Sequence, residues 1–201
     1  MSIYKLKSSF QTLLRPLVNS LAKAGVTANQ VTLLAALVSV VIGGLLWVTD
    51  VRALFLLIPV WMLLRMGLNA VDGMLAREHG QQTPLGGYLN ELGDVVSDAA
   101  LYAPFALVAP FTGPWISAII LLSVLSEFAG VLGVVHGNGR RYDGPLGKSD
   151  RAFVFALLGV WVALADFLPA WAWWVQPAIA FATILTVINR IRQGLTISAE
   201  A

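Results

Sequence analysis

Six apolar segments of about 20 residues follow one another along the chain, and each is long enough to cross a membrane as a helix. Hydrophobic residues make up 58% of the chain and charged residues 12%, whereas soluble domains have about 45–50% and about 25%. This composition leaves too little polar surface for a soluble globular domain, an extended nucleic-acid-binding protein or a disordered regulator. The six segments cover residues 31–48, 51–77, 86–111, 114–135, 152–168 and 172–191.

These segments predict an all-α integral membrane protein, with six transmembrane helices forming one domain over residues 26–201. Residues 1–25 are expected to form an amphipathic helix that lies on the membrane surface before the first span. The alternative is a soluble amphipathic helix that covers a protein core, and Pro16 is expected to weaken or kink either one. At about 100° per residue, the apolar side chains on one stripe of this helix are Leu6, Phe10, Leu13, Leu14, Leu17 and Leu21.

The basic residues predict that both termini lie in the cytosol. Six spans return the chain to the side on which it started, and cytosolic loops carry the excess of lysine and arginine. The opposite loops hold only Arg52, with Asp50 and Asp166. This asymmetry suits a bacterial inner membrane, with an organelle membrane as the alternative. The basic residues on the terminal side are Lys5, Lys7, Arg15, Lys23, Arg77, Arg140, Arg141, Lys148, Arg151, Arg190 and Arg192.

Carboxylates are costly inside a membrane span, and here they cluster at the end of the second span and the start of the third. Helical spacing keeps Asn69 with Asp72 on one face, and Asn90 with Asp94 and Asp98 on another. Two antiparallel spans would direct these faces at each other. Oxygen ligands, without cysteine or a histidine on these faces, suit a hard divalent ion such as Mg²⁺.

Small residues and an arginine accompany these carboxylates. Gly73 and Gly86 leave room for a ligand to approach the backbone closely. Arg77, at the cytosolic end of the second span, offers a planar guanidinium group that suits phosphate. Together these residues predict a polar cavity on the cytosolic side that binds a metal ion and a phosphorylated substrate.

The spacing of these residues resembles the signature of the CDP-alcohol phosphotransferases, integral membrane enzymes that make phospholipid head-group linkages. That signature is Asp-x2-Asp-Gly-x2-Ala-Arg-x8-Gly-x3-Asp-x3-Asp. The chain keeps every spacing and departs from it at two positions, where asparagine replaces aspartate. It reads Asn69-x2-Asp72-Gly73-x2-Ala76-Arg77-x8-Gly86-x3-Asn90-x3-Asp94.

The resemblance implies a reaction of phospholipid biosynthesis, in which a hydroxyl of a small polar alcohol attacks the β-phosphorus of a CDP-linked lipid and CMP leaves. CDP-diacylglycerol is the expected type of donor, and Asp94 falls at the position of the general base. The resemblance also makes a homodimer plausible. The residues implied to bind the CDP group are Asp72, Gly73, Ala76, Arg77 and Gly86. The residues implied to ligate one or two Mg²⁺ or Mn²⁺ ions are Asp72, Asn69, Asn90 and Asp94.

The two asparagines leave a second interpretation open. Each offers one neutral oxygen, but together they remove two of the negative charges that would offset two divalent ions. Metal affinity should therefore fall, or the site should hold one ion, unless Glu91 or Asp98 compensates. The alternative function is a catalytically inactive relative that binds a CDP-linked lipid.

Asp98 lies one helical turn beyond the signature and needs a separate explanation. Counting outward from the turn between the two spans places Asp98 level with Arg65. We therefore expect a buried Arg65–Asp98 ion pair that neutralises both charges inside the membrane. The competing interpretation makes Asp98 a displaced catalytic or metal-binding carboxylate.

Further charged residues lie in and around the fourth to sixth spans. Glu127 is expected to have a structural partner within the bundle, with catalysis as the alternative. Arg190 is expected to extend toward the membrane surface, with phosphate contact as the alternative. A small cation-coupled transporter would also place carboxylates inside six spans, but it would not need the spacing of the signature. The four basic residues that form a possible site for a phosphate on the acceptor, or ordinary cytosolic charge, are Arg140, Arg141, Lys148 and Arg151.

Overall fold

A computed structural model describes residues 3–196, with their side chains from residue 10 onward. All regular secondary structure in this range is helical, which confirms the all-α prediction for these residues. Three short 3-10 helices lie at Arg52–Leu56, Ala103–Leu107 and Ala170–Trp174. The α-helices are α1 (Ile3–Lys23), α2 (Ala28–Val48), α3 (Leu57–Glu78), α4 (Pro84–Tyr102), α5 (Gly113–Val135), α6 (Lys148–Leu164) and α7 (Val175–Thr196).

Helices α2 to α7 overlap the six apolar segments in order. Within residues 3–196, four helical stretches are long and apolar enough to cross a membrane. Helix α4 is more polar because it carries Glu91, Asp94 and Asp98 within 19 residues, and α6 has only 17 residues. That α4 and α6 also cross the membrane, which would give six spans, therefore remains a prediction. The four stretches are Ala28–Val48, Arg52–Glu78, Gly113–Val135 and Ala170–Thr196.

Side-chain caps set where α2 and α4 begin. Thr27 Oγ1 accepts a hydrogen bond from the Gln30 amide, and Gln30 Oε1 accepts one from the Thr27 amide at 2.9 Å. Thr83 Oγ1 accepts a hydrogen bond from the Gly86 amide at 3.0 Å, and Pro84 fills the first position of α4. These side chains satisfy backbone donors that a helix start would leave unpaired. The caps thereby fix which faces α2 and α4 present to α3.

Helix α1 packs on α3 through part of its apolar surface. Val18 is fully buried there, Leu14 and Leu21 are partly buried, and Leu13 and Leu17 stay exposed. The helix continues through Pro16 to Lys23. Arg15 pairs with Glu78 at 2.9 Å, and this hydrogen-bonded contact raises the pKa of Arg15. The predicted stripe member Leu6 lies outside the described side chains.

The closest helix packing in the bundle is between α2 and α4. A Cβ atom on Gly43 would overlap the backbone carbonyl of Ala100. A buried aromatic cluster continues from this contact, with the rings of Tyr102 and Phe155 stacked at 3.8 Å. Small residues at helix crossings are how membrane helices gain close van der Waals contact. Helix α4, which carries the candidate carboxylates, is held in place by this packing.

We expect Gly43→Val to lower the free energy of unfolding by about 1–3 kcal/mol, because the added side chain forces the α4 backbone away from α2. The measurement is the thermal unfolding of the purified protein in detergent. Gly44→Val is the matched control, since a Cβ on Gly44 meets no heavy atom within 4 Å. Equal unfolding temperatures for the two variants would contradict the close contact.

Candidate functional site

The end of α3 and the start of α4 bring the signature residues together. The two helices are joined by five residues, 79–83, and both pack against α2. Asp72 on α3 is buried, and its Oδ2 accepts a hydrogen bond from Thr32 Oγ1 of α2 at 2.7 Å. Thr32 was not singled out from the sequence, because a threonine in an apolar span has no charge to mark it. It orients the carboxylate of Asp72.

A first cavity, of about 330 Å³, lies where α2, α3 and α4 meet. A Cβ on Gly73 would lie 3.0 Å from the Arg77 guanidinium, and one on Gly86 would lie 2.8 Å from Asn29 Oδ1. Side chains at these glycines would therefore fill the cavity. All five residues predicted to bind the CDP group line it, namely Asp72, Gly73, Ala76, Arg77 and Gly86, together with Asn90. We call this space the α2–α4 cavity.

Asp94 faces a different set of partners. Its Oδ1 accepts hydrogen bonds from Arg65 Nη2 at 2.9 Å and from Asn69 Nδ2 at 3.2 Å. Its Oδ2 forms an ion pair with Lys148 Nζ at the start of α6. The Asp94 side chain is 14% exposed, so this carboxylate is largely enclosed by nitrogen donors.

The structure brings Arg65 and Asp98 into contact, with 2.6 Å between Arg65 Nη1 and Asp98 Oδ1. Both side chains are almost entirely buried, at 5% and 6% exposure. Arg65 Nη2 also donates to the backbone carbonyl of Asp94 at 3.1 Å. Arg65 therefore bridges two successive carboxylates of α4, a double contact that the sequence analysis did not anticipate.

A second cavity, of about 350 Å³, opens beside Asp94, and we call it the basic cavity. Glu127 on α5 lies in its wall. One oxygen of the Glu127 carboxylate accepts a hydrogen bond from Arg140 Nη2 at 3.1 Å, and the other oxygen lies 3.3 Å from Arg190 Nη1. Arg151 Nη2 donates to the same carboxylate at 2.9 Å from behind. Burial lowers the pKa of Arg140. One carboxylate is thus shared by three guanidinium groups.

The four basic residues predicted around this region divide among three locations. Arg140 and Lys148 line the basic cavity, and Arg151 is fully buried behind Glu127. Arg141 lies outside the lining because its Nε pairs with Asp143 at 2.9 Å, on the other side of the loop from Arg140. Adjacent side chains of a loop without regular structure need not share a face.

The expectation that Arg190 extends toward the membrane surface is wrong. Arg190 is 2% exposed, and its Nη1 donates to the Ser126 carbonyl beside Glu127. The packing of α7 on α5 encloses it, which position in the sequence did not reveal. The unpaired charge of Glu127 inside the fourth span was the available signal that a distant cation had to reach it.

An apolar groove between α3 and α6, of about 440 Å³, ends at the same polar residues. Met62, Met66 and Phe153 line its apolar part, while Asn69 and Lys148 lie at its polar end. We call this the α3–α6 groove. It connects an apolar face of the bundle with the neighbourhood of Asp94.

The residues fit one divalent ion better than two. The four predicted ligands divide between the cavities: Asp72 and Asn90 line the α2–α4 cavity, and Asn69 and Asp94 line the basic cavity. Within residues 3–196, no group of three carboxylate or histidine side chains is close enough to hold a metal ion. Asp72 with neutral amide oxygens can offer the hard ligands that Mg²⁺ and Mn²⁺ prefer. Asp94 is already neutralised, so this donor set does not fit a two-ion centre.

Comparison with known proteins identifies the family. The chain is 45% identical over 203 residues to inner membrane protein YnbA of Escherichia coli, with 100% of both chains covered. It is 26% identical over 201 residues to the phosphatidylinositol phosphate synthase of Mycolicibacterium smegmatis, covering 92% of this chain and 85% of that relative. The chain belongs to the same family as YnbA, and its similarity to the synthase agrees with the signature of the CDP-alcohol phosphotransferases.

Solved structures of a phosphatidylinositol phosphate synthase share the fold of this chain. Mycobacterium tuberculosis phosphatidylinositol phosphate synthase with CDP-DAG bound has a TM-score of 0.72 and 20% identity, covering 90% of this chain and 92% of that chain. The same synthase with manganese and citrate also has a TM-score of 0.72, at 19% identity, covering 90% and 88%. No protein-family model matches the chain.

We expect Asp98→Asn to lower the free energy of unfolding by about 3 kcal/mol, because it leaves Arg65 with incomplete neutralisation in a buried position. Thermal unfolding in detergent measures the loss. Asp143→Asn is the control, since the Asp143 side chain is 36% exposed and ion pairs open to solvent contribute about 0–1 kcal/mol. An unchanged unfolding temperature, together with lost Mn²⁺ binding, would instead make Asp98 a metal-binding carboxylate.

Proposed function

We propose that the chain transfers a phosphatidyl-type group from a CDP-linked lipid, such as CDP-diacylglycerol, to a small polar alcohol and releases CMP. The observation that carries this proposal is the α2–α4 cavity, because all five residues implied to bind CDP line one space beside α4. Asn90 also lines that cavity, and Asp94 lies one helical turn from Asn90 along α4. The relatives named phosphatidylinositol phosphate synthases support the same reaction class.

The donor would occupy two of the spaces described above. The α2–α4 cavity takes the cytidine, for which Gly73 and Gly86 leave room, and Arg77 holds the phosphates. The α3–α6 groove offers an apolar path for an acyl chain that ends beside Asn69. Asp72 and the amide oxygen of Asn90, which line the same cavity, would hold a divalent ion, Mg²⁺ or Mn²⁺, and that ion would neutralise charge on the pyrophosphate.

Asp94 is the proposed general base. Its carboxylate accepts the proton of the acceptor hydroxyl while the hydroxyl oxygen bonds to the β-phosphorus and the bond from that phosphorus to CMP breaks. Arg65 and Asn69 donate hydrogen bonds to Oδ1 of Asp94 and fix its orientation, and Lys148 pairs with Oδ2. These contacts keep the carboxylate aimed at the edge of the basic cavity.

The acceptor is proposed to carry an anionic group such as phosphate. The basic cavity places Arg140, Lys148 and Arg190 around a space beside the proposed base. These three cations are shared with Glu127, Glu91 and Asp94, and an anionic group bound between them would accept charge-assisted hydrogen bonds from their nitrogens. An alcohol bound there through its anionic group would present a hydroxyl toward Asp94.

The proposed setting is a bacterial inner membrane with six spans and both termini in the cytosol. The paired carboxylates of α4 make it a more acceptable membrane helix than its composition suggests, because Asp94 and Asp98 are neutralised by Arg65 and Lys148. The E. coli relative is named an inner membrane protein. A homodimer is part of this proposal by family resemblance.

We expect purified protein to release CMP from CDP-diacylglycerol when an acceptor is present, and Asp94→Asn to lower that rate at least about 100-fold, the usual contribution of a general base. The assay supplies a panel of neutral and phosphorylated polyols, with Mg²⁺, with Mn²⁺ and with chelator. Asp166→Asn is the matched control, because it makes the same change at an exposed residue far from these cavities.

Each result of that assay has a distinct meaning. Acceptor-dependent release that Asp94→Asn abolishes supports the transferase. Binding of CDP-diacylglycerol without release under any condition would favour an inactive lipid-binding relative. Equal rates for Asp94→Asn and wild type would remove Asp94 from the proposed mechanism.

We expect Arg140→Gln to raise KM for a phosphorylated acceptor about tenfold while changing kcat much less, since Arg140 contacts the acceptor but not the reacting atoms. The measurement is the dependence of initial CMP release on acceptor concentration. The adjacent Arg141→Gln is the control, because Arg141 lies outside the basic cavity. If Arg140→Gln raised KM for a neutral alcohol by the same factor, that result would argue against an anionic acceptor.

A further inference from the structure

We infer that Lys148 and Arg65 supply the positive charge that a second divalent ion would otherwise bring to Asp94, so that each chain binds at most one divalent ion. The inference rests on the proposed function for the location of the site. It concerns the number of ions, which is measured without any turnover.

Both oxygens of Asp94 already have nitrogen partners. Oδ1 receives Arg65 Nη2 and Asn69 Nδ2, and Oδ2 receives Lys148 Nζ. These three donors leave one lone-pair site of the carboxylate free, on Oδ2, and a divalent ion bound there would lie against the Lys148 ammonium and be repelled by it. Arg65 cannot move away easily, because its second nitrogen is bound to buried Asp98 at 2.6 Å.

Asn69 is matched to this arrangement. Its Nδ2 lies 3.2 Å from Asp94 Oδ1, and the amide group donates a hydrogen bond across that distance. An aspartate at position 69 would instead place two carboxylates in contact, which is stable only with a proton or a bridging cation between them. The asparagine therefore removes the need for an ion at the point where Lys148 supplies a charge.

The local charge balance leads to the same conclusion. Asp72, Asp94 and Asp98 carry three negative charges, and Arg65 with Lys148 carries two positive charges, which leaves one net negative charge. Binding one divalent ion changes this net charge from one negative to one positive. A second ion would add strong repulsion in a region where Arg65 is 5% exposed and solvent screens little. Glu91 does not offset it, because Glu91 pairs with Arg140.

The test is a titration of the full-length protein in detergent with Mn²⁺, in which the EPR signal of free Mn²⁺ gives the number of bound ions and their affinity. Wild type is expected to bind no more than one ion per chain. Lys148→Gln is expected to bind Mn²⁺ at least about tenfold more tightly, because a nearby positive charge is removed. Lys148→Arg keeps the charge and should bind like wild type, as should the exposed control Lys23→Gln.

A combined variant checks the proposed reason for the low stoichiometry. Asn69→Asp with Asn90→Asp and Lys148→Gln restores two carboxylates and removes the cation, so we expect it to bind a second Mn²⁺. Two Mn²⁺ ions held by shared carboxylates also give a magnetically coupled spectrum, which is independent of activity. Thermal unfolding of each variant shows whether it is folded.

Two results would overturn the inference. The first is wild type with two bound Mn²⁺ ions per chain, and the second is Lys148→Gln with an affinity within about twofold of wild type. Because wild type alone can give the first result, the test does not depend on the variants folding. If the chain binds one ion but releases no CMP, the proposed function is wrong and this inference stands. If the chain releases CMP and binds two ions, the proposed function stands and this inference is wrong.

Discussion

The neutralisation of Asp94 by Arg65, Asn69 and Lys148 is the interaction on which the rest of the site depends. A carboxylate placed among apolar helices is stable only when its charge is balanced and its oxygens are hydrogen-bonded. Here the balancing groups come from α3 and from the start of α6, so the three helices are tied together at one point. This point separates the α2–α4 cavity from the basic cavity and lies at the polar end of the α3–α6 groove.

Glu127 organises the other half of the polar interior by the same physical rule. Its carboxylate collects Arg140, Arg151 and Arg190, which connects α5 with the following loop, α6 and α7. The two buried carboxylates, Asp94 and Glu127, differ in the cations that surround them. Asp94 is balanced by Arg65 and Lys148, whereas Glu127 is shared by three arginines, of which Arg140 also pairs with Glu91. A membrane-embedded site can thus hold a charged substrate without exposing an unpaired charge of its own.

Much of the site near α3 and α4 could be predicted because its geometry is local. A helical repeat and a short connection are enough to direct Asn69 and Asp72 at the opposite helix, and counting turns from that connection predicted that Arg65 and Asp98 are level. The family resemblance implied five CDP-binding residues, and the structure places all five around the α2–α4 cavity, whereas the signature residues Asn69 and Asp94 lie outside its lining. The second contact of Arg65, to Asp94, was missed because it depends on the exact rotation of each helix about its axis, which Gly43 and the caps on α2 and α4 control.

By itself, the sequence determined the helical class, the order of the apolar segments, the family signature and the departure from it at Asn69 and Asn90. These properties follow from composition and from spacing within one or two helices. Only the tertiary structure decided that Lys148 reaches Asp94, that Arg190 turns inward to Glu127, and that Arg140 and Arg141 point to different sides of their loop. The physical reason is that these contacts join residues far apart in the chain, and their partners are selected by how the helices pack and not by any local periodicity.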